Sequence, residues 1–364
     1  MNKKINRLIP VISVLIGLVV GGIIIAALGK NPLQAFYNLL QGCGLAPKDT
    51  YAGKKGMITD FASFLDALTP MIFAALAVAV AFRAGLFNIG VSGQMLAAGF
   101  ISTITIGYSS FGAGLAKPLV LVVGLASGAA VGALIGFLKH RFNINEVVSS
   151  IMLNYIIQYI FSFFINTYFV DPVSRQSRSV SAESRLTLKE VELFGYKMDI
   201  PLGIILAIIA VFVIRFILQR TVFGFELKAV GHSRTAAEYA GINVGKNMIG
   251  AMTLSGALAG LAGVTYYLGY FASIQPKVLC STGFDSIAVS LLGNSNPIGI
   301  LFSSFLITIL NQGSTYMSST AGVQAEIAHV ITGVILLFCA CNAYMKWKLA
   351  SKEQKTNHKK EGNK

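Results

Sequence analysis

Residues 118–138 read PLVLVVGLASGAAVGALIGFL and contain no charged side chain. A helix needs about 20 mostly apolar residues to cross the hydrocarbon core of a bilayer, which is roughly 30 Å thick. The stretch meets this requirement by itself, so it predicts a helix that spans a membrane.

The rest of the chain has the same character. Of its 364 residues, 54% are hydrophobic and 12% are charged, and the charged share is about half of the roughly 25% found in soluble domains. The 37 glycines suit membrane helices, in which small residues let backbones approach each other. The composition predicts an all-α polytopic membrane protein and excludes a collagen, coiled-coil or disulfide-scaffold architecture.

Hydropathy divides the chain into about ten transmembrane segments. The segments are 9–28, 67–84, 88–107, 118–138, 147–169, 199–218, 248–270, 283–293, 297–312 and 326–345. Two of them, 283–293 and 297–312, are too short to cross independently. Such glycine-interrupted pieces are tolerated only where protein or a water-filled cavity surrounds them, so we expect short or broken helices among the complete spans.

The basic residues predict the orientation. With the N-terminus inside, 18 of the 29 lysines and arginines lie on the cytoplasmic side, as the positive-inside rule requires. Both termini are then cytoplasmic, and residues 29–66, 170–198 and 271–282 lie outside. The polar, lysine-rich tail 351–364 is expected to be disordered.

The N-terminal apolar run from Leu8 to Leu28 is about twice as long as the usual signal-peptide core of roughly 7–15 residues. It therefore predicts a retained first span. A weak cleavage signal at Ala27-Leu28-Gly29 leaves a signal peptide as the alternative.

The stretch 82–100, FRAGLFNIGVSGQMLAAGF, interrupts two spans with polar side chains and glycines. Asn88 and Gln94 lie in it, and Phe87 adjoins Asn88. One interpretation is close helix packing, with the amides as interhelical hydrogen-bond partners. The other is a broken helix that faces a translocation path.

The fifth span carries a polar stripe, since Asn154, Gln158, Ser162 and Asn166 recur every fourth residue and share one helix face. At a rise of about 1.5 Å per residue, Asn154 lies some 13 Å into the bilayer, close to its midplane. Amides at this depth need a partner, which is either a neighbouring helix or a hydrated substrate. The sequence leaves both open.

Asp285 stands at the head of the short segment 283–293. An acid near a membrane segment is a candidate for function, whereas a carboxylate at a helix N-terminus also accepts from free backbone N–H groups. We expect capping here, and we retain Asp285 as a candidate of the substrate path. The candidate set for that path is Phe87, Asn88, Gln94, Asn154, Gln158 and Asp285.

The polar connection 221–247 begins TVFGFELKAVGHSRTAAEYAGINV. Ser233 precedes a stretch of two helical turns that Gly241 ends, and these are the preferred residues at the two ends of a helix. The pattern predicts a short capped helix on the cytoplasmic face, where it would serve as a docking element. An incidental surface helix is the alternative.

Several functions are disfavoured by what the sequence lacks. It has no GxxxxGK[ST] phosphate loop and no HExxH or GxSxG motif, so it does not bind ATP through a P-loop or carry a recognisable hydrolase centre. Its four cysteines form no CxxC pair, which argues against a metal site and leaves a disulfide between Cys43 and Cys280 as an alternative. The net charge of +14 comes from scattered residues, which is not typical of nucleic-acid binding.

Four blocks resemble, in this order, the permease subunits of bacterial ABC importers in the branched-chain amino acid and simple-sugar superfamily, and most of all its nucleoside and simple-sugar branch. They are FRAGLFNIGVSGQM, NEVVSSIMLNY, GFELKAVGHSRTAAEYAGI and GFDSIAVSLLGNSNPIG, spread over residues 82 to 299. The resemblance implies a transmembrane permease domain over residues 1–350 in the cell membrane. It also implies that this chain is no enzyme and holds no cofactor, since ATP and Mg²⁺ would bind separate ATPase subunits.

The same resemblance implies three kinds of partner. These are cytoplasmic ABC ATPase subunits, a second permease in a homodimer or heterodimer, and an extracytoplasmic substrate-binding protein or lipoprotein. The connection 221–247 would then contain the coupling helix that sits in a cleft of the ATPase. Its candidate residues are Glu226, Gly231, Ser233, Arg234, Glu238 and Gly241.

A nucleoside is the substrate that we expect. Its flat base suits aromatic faces, and its hydroxyls and base edges suit amides, and the candidate path combines such groups without a charge at the depth of Asn154. A simple sugar such as ribose or galactose would use the same groups. From another class, an ion-coupled secondary transporter should carry an intramembrane acid or histidine relay. Its candidates all lie near span ends and are Glu146, Asp285, Glu326 and His329.

Overall fold

A computed structural model describes residues 3–48, 56–193 and 196–340. The helices are α1 (Lys3–Ala27), α2 (Pro32–Gly42), α3 (Met57–Arg83), α4 (Val91–Ser102), α5 (Ala113–Phe142), α6 (Glu146–Phe164), α7 (Gly203–Arg220), α8 (Val222–His232), α9 (Arg234–Tyr239), α10 (Val244–Thr265), α11 (Thr282–Leu292), α12 (Pro297–Ala321) and α13 (Glu326–Ala340). One antiparallel hairpin pairs β1 (Thr187–Leu193) with β2 (Tyr196–Pro201). Three helices continue as π-helical turns, at Thr103–Gly107, Ile165–Phe169 and Tyr266–Tyr270.

Six helices are long and apolar enough to cross a membrane, or seven if the bent pair α1–α2 counts as one span. This confirms a helical, polytopic membrane protein. Shorter apolar helices at 91–107, 282–292 and 326–335 complete the set. The predicted tail 351–364 lies outside the described residues.

The boundaries of two helices differ from the predicted segments. The sequence predicts that the ninth segment ends at residue 312, but α12 continues to Ala321. Asn311 and Gln312 lower its hydropathy, yet they bond Asp285 and Tyr270 inside the protein. The segment predicted at 199–218 starts later, because residues 199–201 belong to β2 and α7 begins at Gly203.

The predicted outer loop 29–66 also contains helical structure. The side-chain oxygen of Asn31 accepts from the Leu33 N–H at 3.0 Å, with Pro32 in the first turn of α2, and both residues favour a helix start. The axis of α2 is turned by 117° from α1, and α2 packs on α12 where Gly42 meets Gly313. Hydropathy missed α2 because it is amphipathic and short.

A close contact between glycines joins α5 to α10. A Cβ atom added to Gly128 would stand 2.3 Å from the Gly256 carbonyl oxygen, and one added to Gly260 would stand 2.1 Å from the Gly124 carbonyl oxygen. We call this contact the glycine seam. It exists because glycine leaves room for backbone to meet backbone, which is how membrane helices gain packing energy without a hydrophobic driving force.

Short-range contacts define two ends of the helical bundle. At one, which we call the hairpin end, Thr187 Oγ1 donates to Asp66 at 2.7 Å and the Leu186 N–H donates to the Leu268 carbonyl at 3.1 Å. At the other, the α9 end, Lys139 pairs with Glu146 at 2.9 Å. The helices α3, α5 and α7 run toward the α9 end, and α6 and α10 start there.

Two non-helical segments lie inside the bundle. The first, residues 84–90, connects α3 to α4. The second, residues 271–281, was predicted as part of an outer loop, but its Cys280 carbonyl accepts from Ser92 at 3.0 Å and its Lys277 carbonyl accepts from Gln158 at 2.6 Å. Irregular backbone at this depth is tolerated because protein groups satisfy it. The alternative disulfide is not formed, since Cys43 and Cys280 are separate buried thiols.

Candidate functional site

A cavity of about 150 Å³ lies where the second non-helical segment, residues 271–281, meets α11. Along α3, its residue Pro70 is about 20 Å from Arg83 at the α9 end, at the helical rise of about 1.5 Å per residue. The cavity is therefore in the middle of the bundle. Its walls are formed by Ala67, Pro70, Met71, Tyr266, Tyr270, Phe271, Ser281, Thr282, Asp285, Thr308, Asn311 and Gln312.

One wall of the cavity is polar. The Asn311 side-chain amide donates to the Asp285 carboxylate at 3.1 Å. Neither Asn311 Oδ1 nor Thr308 Oγ1 has a hydrogen-bond partner among the described residues, and both atoms are buried. A buried polar atom left unpaired costs about 1–3 kcal/mol, so this wall suits a polar ligand that supplies the missing bonds.

Another part of the lining is aromatic. The rings of Tyr266 and Phe271 lie 5.0 Å apart between centroids, and those of Tyr270 and Phe271 lie 4.7 Å apart, edge to face. The Tyr270 hydroxyl and Gln312 Oε1 are 3.2 Å apart and hydrogen-bonded. The π-helical turn Tyr266–Tyr270 brings these rings to the cavity, and such turns are frequent at functional sites.

A second cavity of about 80 Å³ shares Tyr266 and Phe271 with the first. It extends toward the hairpin end, where Gln176, Ser273 and Gln275 line it. Ser273 Oγ donates to Gln176 Oε1 at 2.6 Å, which leaves the amide NH₂ of Gln176 as a donor. Both cavities thus combine these two aromatic rings with polar side chains.

Of the predicted path residues, Asp285 alone lines the larger cavity. Capping, which we expected for it, is wrong: its backbone N–H donates to the Ser281 carbonyl, as in a helix already begun, while its carboxylate accepts from Asn311. Asp285 is therefore a wall residue.

Asn88 and Gln94 lie apart from the cavity in a buried network. Asn88 Nδ2 donates to Gln94 Oε1 at 3.0 Å and to Ser255 Oγ at 2.8 Å, while Ser255 Oγ donates to the Ala77 carbonyl at 2.6 Å. The network joins α3, α4 and α10, so it supports the packing interpretation of this stretch. Phe87 is half-buried and stacks on Phe82 at 5.2 Å.

The polar stripe of α6 has the same structural use. The Asn154 amide donates to the Ile89 carbonyl and accepts from the Gly93 N–H, both at 3.0 Å. Gln158 donates to the carbonyl of Lys277, whose N–H donates to Ser162 Oγ at 2.7 Å. The stripe thereby holds both broken segments in place, and Gln158 Oε1 is the one buried oxygen of these two amides with no partner among the described residues.

The connection 221–247 contains two helices at the α9 end. The predicted short helix is α9, with the Ser233 hydroxyl accepting from the Ala236 N–H at 3.3 Å and Gly241 in the left-handed region at φ +80°. The helix α8 before it was not predicted, because its glycines lowered the helical signal. Together α8 and α9 form a pair that we call the docking pair.

The predicted coupling residues divide into inward and outward positions. Glu226 is half-buried and accepts from the Asn247 amide at 2.8 Å, so it ties α8 to α10. Gly231 is pressed against α3, since an added Cβ would stand 2.3 Å from the Arg83 carbonyl oxygen. Arg234 and Glu238 are exposed, and Arg234 reaches the Gly85 carbonyl at 3.5 Å.

The docking pair also presents apolar side chains that the sequence interpretation missed. Tyr239 is 95% exposed and Val222 is 74% exposed. Such a surface on a short capped pair is suited to a protein partner.

Arg83 connects the docking pair to the cavity helices. Its guanidinium donates through Nε and Nη2 to the Ser295 carbonyl at 3.1 and 3.0 Å. Ser295 belongs to the turn between α11 and α12, in which Asn294 and Ser295 both have positive φ. The turn is thus held to the end of α3, against which Gly231 packs.

Sequence comparisons identify similar proteins. The model of a family described as branched-chain amino acid transport system / permease component matches residues 61–340. The nucleoside ABC transporter permease protein NupB of Lactococcus lactis subsp. cremoris is 35% identical over 349 residues, which cover 93% of this chain and 92% of that protein. The guanosine ABC transporter permease protein NupP of Bacillus subtilis is 33% identical over 358 residues, covering 98% and 99%.

A second L. lactis protein also matches, the nucleoside ABC transporter permease protein NupC. It is 25% identical over 262 residues, which cover 70% of this chain and 82% of that protein. No solved structure matches.

Proposed function

This chain belongs to the family of branched-chain amino acid transport system permease components, and we propose that it is the membrane-spanning subunit of an ATP-driven (ABC) importer that carries nucleosides across the cytoplasmic membrane. It is a multi-pass protein of the cell membrane. The observation that carries the proposed substrate class is the cavity, whose lining combines aromatic rings with polar side chains.

The chemistry of the cavity supports a nucleoside. The ring faces of tyrosine and phenylalanine stack on any nucleobase, and amides and hydroxyls form hydrogen bonds with a sugar. Two similar proteins are named for nucleosides and guanosine. Among the described residues that line it, the cavity has one carboxylate and no basic side chain, which disfavours an amino acid, since a zwitterion needs partners for both of its charges.

We place the α9 end in the cytoplasm and the hairpin end outside. The helices alternate in direction, and ten crossings result if the segment 271–281 together with α11 is counted as one of them. Both termini are then cytoplasmic. The α9 end carries Arg83, Lys139, Arg141, Arg220 and Lys228, so the positive-inside rule supports this orientation.

In this proposal ATP hydrolysis belongs to separate subunits. The docking pair would sit on a cytoplasmic ABC ATPase, with Tyr239, Arg234 and Glu238 facing it. An extracytoplasmic binding protein or lipoprotein would deliver substrate at the hairpin end. A second permease would complete the membrane unit, and the paired names NupB and NupC in one organism support a heterodimer.

The proposed mechanism couples the docking pair to the cavity. A ligand shifts a two-state protein only by its differential affinity for the two states. ATP must therefore act on the permease through a contact that differs between the two states of the ATPase. Closure of the ATPases would move α8 and α9, and through Gly231 and Arg83 it would move the turn of Ser295. That turn joins α11 to α12, which carry Asp285 and Asn311 of the polar wall.

The deciding experiment is uptake of labelled guanosine, uridine and ribose by cells with and without the gene. Gene-dependent uptake of the nucleosides, abolished when ATP is depleted at a constant membrane potential, is the expected result. Copurification of an ATPase subunit with the tagged chain is a second expected result. Uptake driven by an ion gradient without ATP would contradict the ABC assignment.

A simple sugar is the second candidate, since the polar wall provides the acceptors that sugar hydroxyls need. In the same experiment, gene-dependent uptake of ribose alone would replace the nucleoside by the sugar and leave the permease assignment in place.

A further inference from the structure

We propose that Asp285 and Asn311 bind the 2′,3′-diol of ribose, so that the permease itself distinguishes ribonucleosides from deoxynucleosides. This inference rests on the proposed function, because it assigns part of the proposed substrate to one wall of the cavity.

Both side chains line the cavity, and each has one acceptor oxygen without a hydrogen-bond partner among the described residues. Asn311 Nδ2 donates to Asp285 Oδ2 at 3.1 Å, and that bond fixes the amide so that its oxygen is the free end. Asn311 Oδ1 is buried without a partner among the described residues. Among those residues, no hydrogen bond to the other carboxylate oxygen of Asp285 is formed, and this oxygen is the second acceptor.

A vicinal diol is the complement of this pair. It offers two O–H donors on neighbouring carbons, which matches one free carboxylate oxygen and one amide oxygen. Hydrogen bonds to a carboxylate are roughly twice as strong as neutral ones, and a single carboxylate binds the ribose hydroxyl in dinucleotide-binding folds. Thr308 Oγ1, which is also unpaired, can donate to an oxygen of the same sugar.

The size of the cavity fits the same assignment. Its volume of about 150 Å³ is below the roughly 300–1,000 Å³ of pockets that enclose drug-sized ligands. It therefore holds a group of sugar size rather than a whole nucleoside. The base would lie against Tyr266 and Phe271, where the second cavity adds about 80 Å³ beyond the rings.

The test uses the complete importer in cells, with the extracytoplasmic binding protein that delivers the substrate (the delivery protein) unchanged. Asp285→Asn keeps an oxygen for Asn311 Nδ2 but replaces the free acceptor by an NH₂ donor. We measure transport of guanosine, 2′-deoxyguanosine, 3′-deoxyguanosine and 5′-deoxyguanosine at concentrations below saturation. The wild-type and the variant permease receive substrate from the same binding protein. A change in the ratio of the transport rates of two substrates is therefore caused by the permease.

The expected result is selective. Asp285→Asn lowers guanosine and 5′-deoxyguanosine transport about 10- to 100-fold, as for a lost hydrogen bond to a charged group. It lowers the transport of the 2′- and 3′-deoxy compounds much less, because each of them lacks one hydroxyl of the diol. Asn311→Ala removes the other acceptor and reduces the same ratio about threefold to tenfold, as for a neutral hydrogen bond, which keeps the test open if Asp285→Asn fails to insert.

The control is Asp171→Asn, which replaces an exposed acid outside the cavity and keeps an oxygen for the Val173 N–H. It should leave every substrate ratio unchanged. Equal losses of transport for ribo- and deoxynucleosides in both cavity variants, or no loss, would overturn the inference. Nucleoside uptake by the wild type would still support the proposed function. A loss confined to amine-bearing substrates would show that Asp285 binds a cation instead.

If the wild type carries ribose rather than nucleosides, the proposed function fails and the inference is tested on its own terms. Ribose and 2-deoxyribose then take the place of the nucleosides. Asp285→Asn should again abolish the preference for the diol, and an unchanged preference would overturn the inference.

Discussion

Gly256 faces the Gly128 carbonyl oxygen so closely that an added Cβ would stand 2.3 Å from it. The atom that would collide is backbone, which cannot turn aside as a side-chain end can. At this residue the helix pair α5–α10 therefore depends on the absence of a methyl group.

We predict that Gly256→Ala separates α5 from α10 and lowers stability by about 1–3 kcal/mol, the usual cost of overpacking. The measurement is the thermal unfolding midpoint of the detergent-solubilised protein, together with its abundance in membranes. The matched control is Gly333→Ala in α13, where nothing lies within 4 Å of an added Cβ. Equal behaviour of the two variants would show that the seam tolerates a methyl group.

At the aromatic wall, Tyr266→Ala should reduce nucleoside transport roughly 5- to 150-fold, since stacking on one base is worth about 1–3 kcal/mol. Tyr266→Phe keeps the ring and should retain most of the transport. Tyr168→Ala, which removes an exposed ring at 62% exposure outside the cavity, is the control. Similar losses in Tyr266→Phe and Tyr266→Ala would assign the effect to the hydroxyl rather than to the face of the ring.

At the scale of helices and turns, the contact of Arg83 with Ser295 separates substrate binding from coupling. Arg83→Gln should leave nucleoside binding to the permease intact while uptake falls at least about tenfold, because the turn between α11 and α12 no longer follows the end of α3. The readouts are binding to the purified complex and ATPase stimulation by the loaded delivery protein. Arg215→Gln is the control, because Arg215 lies at the same end and its hydrogen bond among the described residues is to Gln219 of its own helix.

Loss of binding along with uptake in Arg83→Gln would show a general structural role. Full stimulation of the ATPase would show that the contact carries no signal.

The docking pair allows a second test at this scale. Glu238→Lys reverses an exposed charge and should reduce copurification of the ATPase without changing the amount of inserted protein. Gly231 is a poorer choice for this test than the sequence suggested, because any side chain there collides with the Arg83 carbonyl. If Glu238→Lys retains the ATPase in full, the contact surface lies elsewhere, for instance around Tyr239.

These elements also show how far sequence reasoning reaches. The long apolar helices and the capped helix α9 could be predicted, since hydropathy and capping are local properties. The helix α2 could not, because its helical start depends on Asn31 and its packing depends on Gly313.

The candidate site was predicted less completely than the long apolar helices. An amide inside an apolar run needs a partner, but sequence does not tell whether the partner is protein or substrate, and for Asn88 and Asn154 it is protein. The aromatic run Tyr266–Phe271 and the pair Asn311–Gln312 within α12 were the signals that could have identified the cavity. Asp285 was singled out, although for the wrong structural role.

At the scale of the whole molecule, the orientation can be tested directly. We predict that a membrane-impermeant maleimide labels Val173→Cys in intact cells, in a background without native cysteines, while Tyr239→Cys is labelled only after permeabilisation. Val173 and Tyr239 are 91% and 95% exposed at opposite ends of the bundle. Ser184, which lies in the predicted outer loop, is unsuitable because it is buried.

Labelling of Tyr239→Cys in intact cells, with Val173→Cys protected, would reverse the orientation and with it the assignment of the docking pair to the cytoplasm.

The glycine seam has a consequence for motion. Side chains let packed helices slide by exchanging rotamers, but backbone in contact with backbone has no rotamers to exchange. The helices α5 and α10 must therefore travel as one rigid body through every stage of the transport cycle. They supply a fixed frame of reference, so that distances from α10 to α11 report the opening and closing of the protein, while distances across the seam stay constant.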